Sequence, residues 1–169
     1  MFQVNDVIIY GAQGVCKIIG TDEKIINGRK KLYFILKPVG DKGATIFAPT
    51  DNELILGKMR RLLTKEEIHK LIDSMQEDNA LWVENENERK ELYKSILIKG
   101  DHGQIIKMLK AIYAHKKQRE AAGKRLHISD ERFFKDAEQI LYNEFQYVLN
   151  LKDRSELMTY IFSRIEKNT

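Results

Sequence analysis

Apolar residues along the chain change their spacing near Leu63. Before that point they fall in short runs closed by Gly, Pro, Asn or Asp, which is the pattern of strands. Residues 4–10 are rich in β-branched and aromatic side chains and are broken by Gly11-Ala12-Gln13-Gly14. Residues 15–20 resume a strand. Asn27-Gly28 comes next, flanked by Ile25-Ile26 and by Leu32-Tyr33-Phe34-Ile35-Leu36. Asn-Gly between apolar runs marks a hairpin, because both central residues of a type I′ turn need positive φ. Pro38 and Gly40-Asp41-Lys42-Gly43 end that strand. Residues 44–48 make a fourth, stopped by Pro49-Thr50-Asp51-Asn52, and residues 58–62 a short fifth. Five short strands in about 60 residues predict a small Tudor-like or SH3-like barrel, although their spacing also allows an OB-like one.

From Thr64 the period becomes helical. Thr64-Lys65-Glu66-Glu67 is a capping box, followed by Ile68, Leu71, Ile72 and Met75 on one face. A polar stretch, residues 76–79, precedes Trp82. A second helix starts near Asn85, carries Leu92, Tyr93, Ile96 and Leu97, and ends at Gly100. A third aligns Ile105, Met108, Leu109, Ile112 and Tyr113, and its pattern continues through 114–120 with almost no apolar content. Ser129 is placed to cap a long helix bearing Phe133, Phe134, Ala137, Ile140, Leu141, Phe145 and Val148. A last helix carries Leu157, Met158, Ile161, Phe162 and Ile165. The expectation is a β domain over residues 1–62 and an all-α bundle of about five helices over 63–169.

Composition narrows the class. The 169 residues are 43% hydrophobic and 32% charged, too apolar for wholesale disorder. No run reaches the roughly 18 apolar residues of a membrane span. Met1-Phe2-Gln3-Val4-Asn5-Asp6 has neither the basic start nor the apolar core of a signal peptide. A single cysteine, Cys16, can form no internal disulfide and sits inside a predicted strand, where a buried inert thiol is the simplest reading. The expectation is a soluble, cytosolic globular protein.

The net charge of +4 hides a strong asymmetry. Residues 64–88 carry two basic and eight acidic groups, whereas residues 89–125 carry eleven basic and three acidic. A basic block of this kind points toward a polyanion. Enzymatic chemistry has no comparable signal. Gly11 and Gly14 precede a strand rather than a helix, so no phosphate loop or dinucleotide fingerprint is present. His69, His102, His115 and His127 lack metal-ligand spacing and are read as surface or capping residues. No carboxylate stands in an apolar setting tuned for acid–base work. A non-enzymatic protein without metal or cofactor is expected.

Two features suggest binding, each with a structural alternative. Arg89 and Lys90, then Lys107, Lys110, His115, Lys116, Lys117, Arg119, Lys124 and Arg125, form either an ordinary solvated face or a phosphate-neutralising one. Trp82, the only tryptophan, either packs at the edge of the bundle or serves as an exposed wedge between bases.

With these residues in place, the chain resembles the CarD/CdnL family of bacterial RNA polymerase-binding transcription regulators. The likeness rests on Phe2-Gln3-Val4-Asn5-Asp6-Val7-Ile8-Ile9-Tyr10-Gly11-Ala12-Gln13-Gly14-Val15, on the Asn27-Gly28 hairpin, the Tyr33 strand and Ala48-Pro49-Thr50-Asp51-Asn52. In the second half it rests on Ile98-Lys99-Gly100-Asp101 and Ala137-Glu138-Gln139-Ile140-Leu141. The resemblance implies a Tudor-like domain, shared with the transcription-repair coupling factor, that docks on the polymerase β subunit. It also implies a helical domain that contacts promoter DNA at the upstream edge of the bubble and stabilises the open complex.

By position, Trp82 is the implied minor-groove wedge, and Lys24 and Phe47, with Ile46, Ala48 and Pro49 on the same strand, are the implied docking residues. Arg132 is kept beside Glu131, which replaces a common DNA-contacting lysine. Val83-Glu84-Asn85-Glu86-Asn87-Glu88 separates the tryptophan from Arg89-Lys90, and its three carboxylates repel phosphates unless the helix turns them away. DNA binding is expected to be weak and without sequence readout, in the cytoplasm and on the nucleoid through polymerase. The alternative function is an RNA- or ribosome-associated adaptor that uses the basic helix.

Overall fold

The computed structural model describes residues 1–40, 43–77 and 81–167. Asp41 and Lys42 of the expected turn, and Asp78 and Asn79 of the polar stretch, lie outside the described residues. The chain divides into two units, Met1–Leu62 and Leu63–Thr169.

The first unit contains β1 (Val7–Tyr10), a single 3-10 turn, β2 (Val15–Ile26), β3 (Arg29–Pro38), β4 (Ile46–Pro49), α1 (Glu53–Leu56) and β5 (Met59–Arg61). The strands form one antiparallel sheet in the order β4-β3-β2-β1-β5, a meander whose last strand returns to the first. The Asn27-Gly28 turn has φ of 52° and 73°, as a type I′ hairpin requires, and sets Ile26 opposite Arg29. Ile8, Cys16, Ile18, Leu36, Ala48 and Met59 are buried together, with Phe2, Tyr10, Phe34 and Ile46 packed against them.

Three expectations shift. The first strand starts at Val7 rather than Val4, because Asn5 has φ of 78° and the Asp6 N–H donates to the Gln3 carbonyl at 3.1 Å. The second strand does not stop at Gly20. A register shift between Ile18 and Gly20 lets it continue to Ile26 and turns Ile19 outward. Asn52, expected only to terminate a strand, also caps α1 by accepting from the Leu54 and Ile55 N–H groups at 3.0 and 3.3 Å.

Among the described residues the second unit holds five helices: α2 (Lys65–Ser74), α3 (Glu86–Lys99), α4 (His102–Ala121), α5 (Ile128–Val148) and α6 (Arg154–Lys167). The Thr64 capping box forms in both directions, at 3.2 and 2.8 Å. Asn85 caps α3, Gly100 closes it in the left-handed region, and Asp101 caps α4. Ile68, Ile72, Tyr93, Ile105, Met108, Ile112, Leu141, Phe145 and Leu157 are at the centre of one buried cluster.

The long helix is entered differently from the expectation. It begins at Ile128, with His127 at the cap position and no side-chain cap bond, so Ser129 lies inside the first turn. Tyr113 is 52% exposed although its spacing matches the buried stripe, since α4 runs on beyond the core there. No described helix is long and apolar enough to cross a membrane.

Candidate functional site

In the sheet unit, β4 is an edge strand paired only with β3. Alternation sends Ile46 and Ala48 toward the core and Phe47 outward, where it is 43% exposed. Ile46 and Ala48 therefore offer a partner mainly their backbone, and Pro49 is half-buried at the strand end. Lys24, from β2, places its ammonium 4.1 Å from the Phe47 ring centroid and 5.5 Å from that of Tyr33 on β3. Three strands thus contribute one cation and two aromatic rings to one outward face. The cation–π contacts, worth about 0.5–1 kcal/mol at an exposed site, hold Lys24 across the strands rather than in free solvent.

In the helical unit the centre of interest is Trp82, on the segment that leads into α3. Its backbone neighbours are held at several points. Leu81 N–H donates to the Lys107 carbonyl at 3.3 Å, and the buried Tyr93 hydroxyl donates to the Leu81 carbonyl at 2.7 Å. Arg89 is only 2% exposed. It donates from Nε and Nη2 to the two oxygens of buried Asp130, at 2.9 and 3.0 Å. From Nη1 it reaches the Val83 and Glu84 carbonyls, at 2.8 and 3.2 Å.

The same guanidinium lies 4.4 Å from the Trp82 ring centroid. On α4, the His115 imidazole stacks on the indole at 3.8 Å with an interplanar angle of 21°. Burial, Arg119 and Arg89 together hold the His115 pKa below its usual range, against the opposing pull of Asp130 and Glu84. The indole N–H donates to Glu84 at 3.1 Å. Trp82 is half-buried, packed against Arg89 and His115.

Arg89 has a different place from the one expected of a phosphate contact. Its donors face a carboxylate and two carbonyls, and breaking the buried pair would leave Asp130 charged and alone. Lys90 is half-exposed and pairs with Glu86 at 2.7 Å. Glu84 is occupied by the indole and Glu86 by Lys90, so two of the three carboxylates after the tryptophan are engaged.

Lys90, Arg119, Lys124 and Arg125 line one open depression of about 620 Å³ at the start of α5. There Arg119 Nε donates to the Arg125 carbonyl. Lys116 is half-exposed, and Lys117 lies on the exposed Tyr113 ring at 5.4 Å. Lys110 sits apart, beside an apolar groove lined by Met75, Leu109, Tyr113, Phe134 and Tyr142. Arg132 is exposed on the first turns of α5.

Several further titratable groups are tied into packing. Buried Glu144 accepts from the Leu63 N–H at 2.9 Å and pairs with His102 at 2.8 Å. His69 bonds Tyr160, and Arg164 makes a two-point pair with Asp73 at 2.9 Å. Cys16 is fully buried and burial pushes its thiol up to about 11, which keeps it protonated and inert. Among the described residues no cluster of three or more His, Cys, Asp or Glu could hold a metal ion.

A family model described as the CarD-like/TRCF RID domain matches residues 2–63. These residues form a CarD-like RNA polymerase-interacting domain. The match spans the sheet unit and supports a part for the chain in RNA polymerase interaction. No curated protein matches the chain.

Next to the RID domain, the helical unit holds the functional groups that sequence reasoning missed. Asp130 and Glu144 look like ordinary helix-surface acids because their partners, Arg89 and His102, are 41 and 42 residues away in the chain. His115, by sequence, is a surface or capping residue within the basic run of α4. Only its place at the apolar-to-basic transition of α4 hinted at a contact.

Proposed function

We propose that the RID domain docks on the polymerase β subunit through the β4 edge. In the same reading, residues 63–169 act on promoter DNA at the upstream edge of the bubble and lengthen the life of the open complex. The observation that carries the reading is the unpaired β4 edge of a RID domain, with Phe47 and Lys24 presented beside its free backbone groups. An edge strand can extend a partner's sheet through backbone hydrogen bonds, while outward side chains set specificity. Phe47 and Lys24 would supply that specificity, and Ile46, Ala48 and Pro49 the backbone.

The DNA half of the reading is supported by Trp82 and by the gathering of Lys90, Arg119, Lys124 and Arg125 around one depression, with Lys116, Lys117 and Arg132 exposed or half-exposed. Such cations neutralise phosphates without reading bases, so affinity for DNA should be weak and should fall steeply with salt.

Co-purification tests the docking half. Phe47→Asp should lose most of the β subunit retained by the wild-type chain, because it puts a desolvated carboxylate at the centre of the contact. Retention at the wild-type level by a folded Phe47→Asp protein would refute the β4 assignment. Recovery of ribosomal components in place of polymerase would favour the RNA-associated adaptor.

A further inference from the structure

The two neighbours of the Trp82 ring differ in their freedom to leave it. A guanidinium 4.4 Å and an imidazole 3.8 Å from one ring centroid would overlap on a single face, so Arg89 and His115 bracket the indole. Arg89 is buried, has four hydrogen bonds and is paired with a buried carboxylate, so that face is permanently covered. His115 is half-buried, and the charged groups that face it are Arg119 on its own helix, Arg89 on α3, Asp130 on α5 and Glu84 beside the tryptophan. A rotation about its own side-chain bonds would uncover the second face without disturbing a helix.

The imidazole also stands where a nucleobase would. A neutral aromatic ring stacked nearly parallel to an indole has the geometry of a base on a tryptophan platform. Burial, Arg119 and Arg89 favour the neutral form of this imidazole over the pull of Asp130 and Glu84, and a neutral ring stacks without an added charge. The residues that follow it on α4, Lys116, Lys117 and Arg119, bring cations within one turn of the ring. A phosphate drawn to them carries its base toward the covered face.

We infer that His115 is a positioning residue that closes Trp82 in the free protein and is exchanged for an unstacked nucleobase when DNA is engaged. The inference rests on the reading of Trp82 as a DNA contact and adds to it a gate. In the closed state the indole is shielded from water and from unspecific stacking. In the open state its Arg89 face stays backed, so the ring is presented rigidly.

The test uses the full chain and a short A·T-rich duplex with a central unpaired bubble. Binding is followed by anisotropy of the labelled DNA and by the fluorescence of Trp82, the only tryptophan. His115→Ala removes the competing stack and should tighten binding roughly two- to tenfold, the worth of one aromatic pair. His115→Phe restores a covering ring and should return affinity to the wild-type level or below.

A stacked imidazolium quenches indole fluorescence. The free wild-type protein should therefore lose emission as the pH falls through a midpoint below the usual histidine value. Both variants should lack this step, and saturating bubble DNA should abolish it in the wild type. A merely structural histidine would keep the step in the complex. If Trp82→Ala weakens binding while His115→Ala does not tighten it, the gate is overturned and the DNA reading stands. If Trp82→Ala binds as the wild type does, the DNA reading of this ring falls, and the gate with it.

Discussion

The β4 edge and the Trp82 cluster present recognition groups in opposite ways. At β4 the backbone is unpaired on one side among the described residues, and Phe47 and Lys24 lie on the surface beside each other and Tyr33. Around Trp82 almost every polar group is already satisfied, by Asp130, by carbonyls or by the indole N–H. The first surface is ready for a partner that supplies the missing hydrogen bonds. The second is a braced side chain whose availability depends on what covers it. A tether benefits from being open at all times, whereas an aromatic ring aimed at DNA benefits from being held still and shielded until it is used.

Removing the brace separates the two regions most sharply. Arg89→Ala leaves Asp130 buried without its partner and should cost about 3–5 kcal/mol of helical-unit stability. Hydrogen exchange on the full chain would show protection lost across α2–α6 and kept across β1–β5. Equal loss in both units would mean that the stability of the sheet depends on the helical unit, and uniform retention would mean that the pair is not the keystone of the Trp82 segment.

This contrast also explains what could be read in the chain beforehand. The sheet is written locally: the Asn27-Gly28 turn, the alternation in β4 and the apolar runs each involve neighbours within a few residues. The helix boundaries at Thr64, Asn85 and Gly100 are equally local, because caps act over three or four positions. The brace is not. Arg89 reads as a phosphate contact because a basic residue next to Lys90 in a charged run carries no mark of burial. The acid that neutralises it lies on another helix. Ser129 misled for a related reason. A serine before a long apolar stripe has cap chemistry, yet the helix starts two residues earlier than such a cap would set it, and Ser129 falls within the first turn.

A smaller perturbation probes the opposite side of the comparison. Gly28 has φ of 73° with open space where a Cβ would go, so Gly28→Ala meets only the conformational penalty of the left-handed region. That should destabilise the RID domain by roughly 1–2 kcal/mol and lower its thermal midpoint, with no effect on the Trp82 fluorescence titration. A change in that titration would break the separation drawn between the two regions.

The central claim is that one chain holds polymerase with its sheet edge and steadies promoter DNA with its helical unit. The lifetime of open complexes formed by polymerase holoenzyme, measured with competitor added after opening, tests it most directly. The wild-type chain should lengthen that lifetime. Trp82→Ala, still folded and still bound to polymerase, should lengthen it far less. A Trp82→Ala protein that extends the lifetime as much as the wild type would contradict the account.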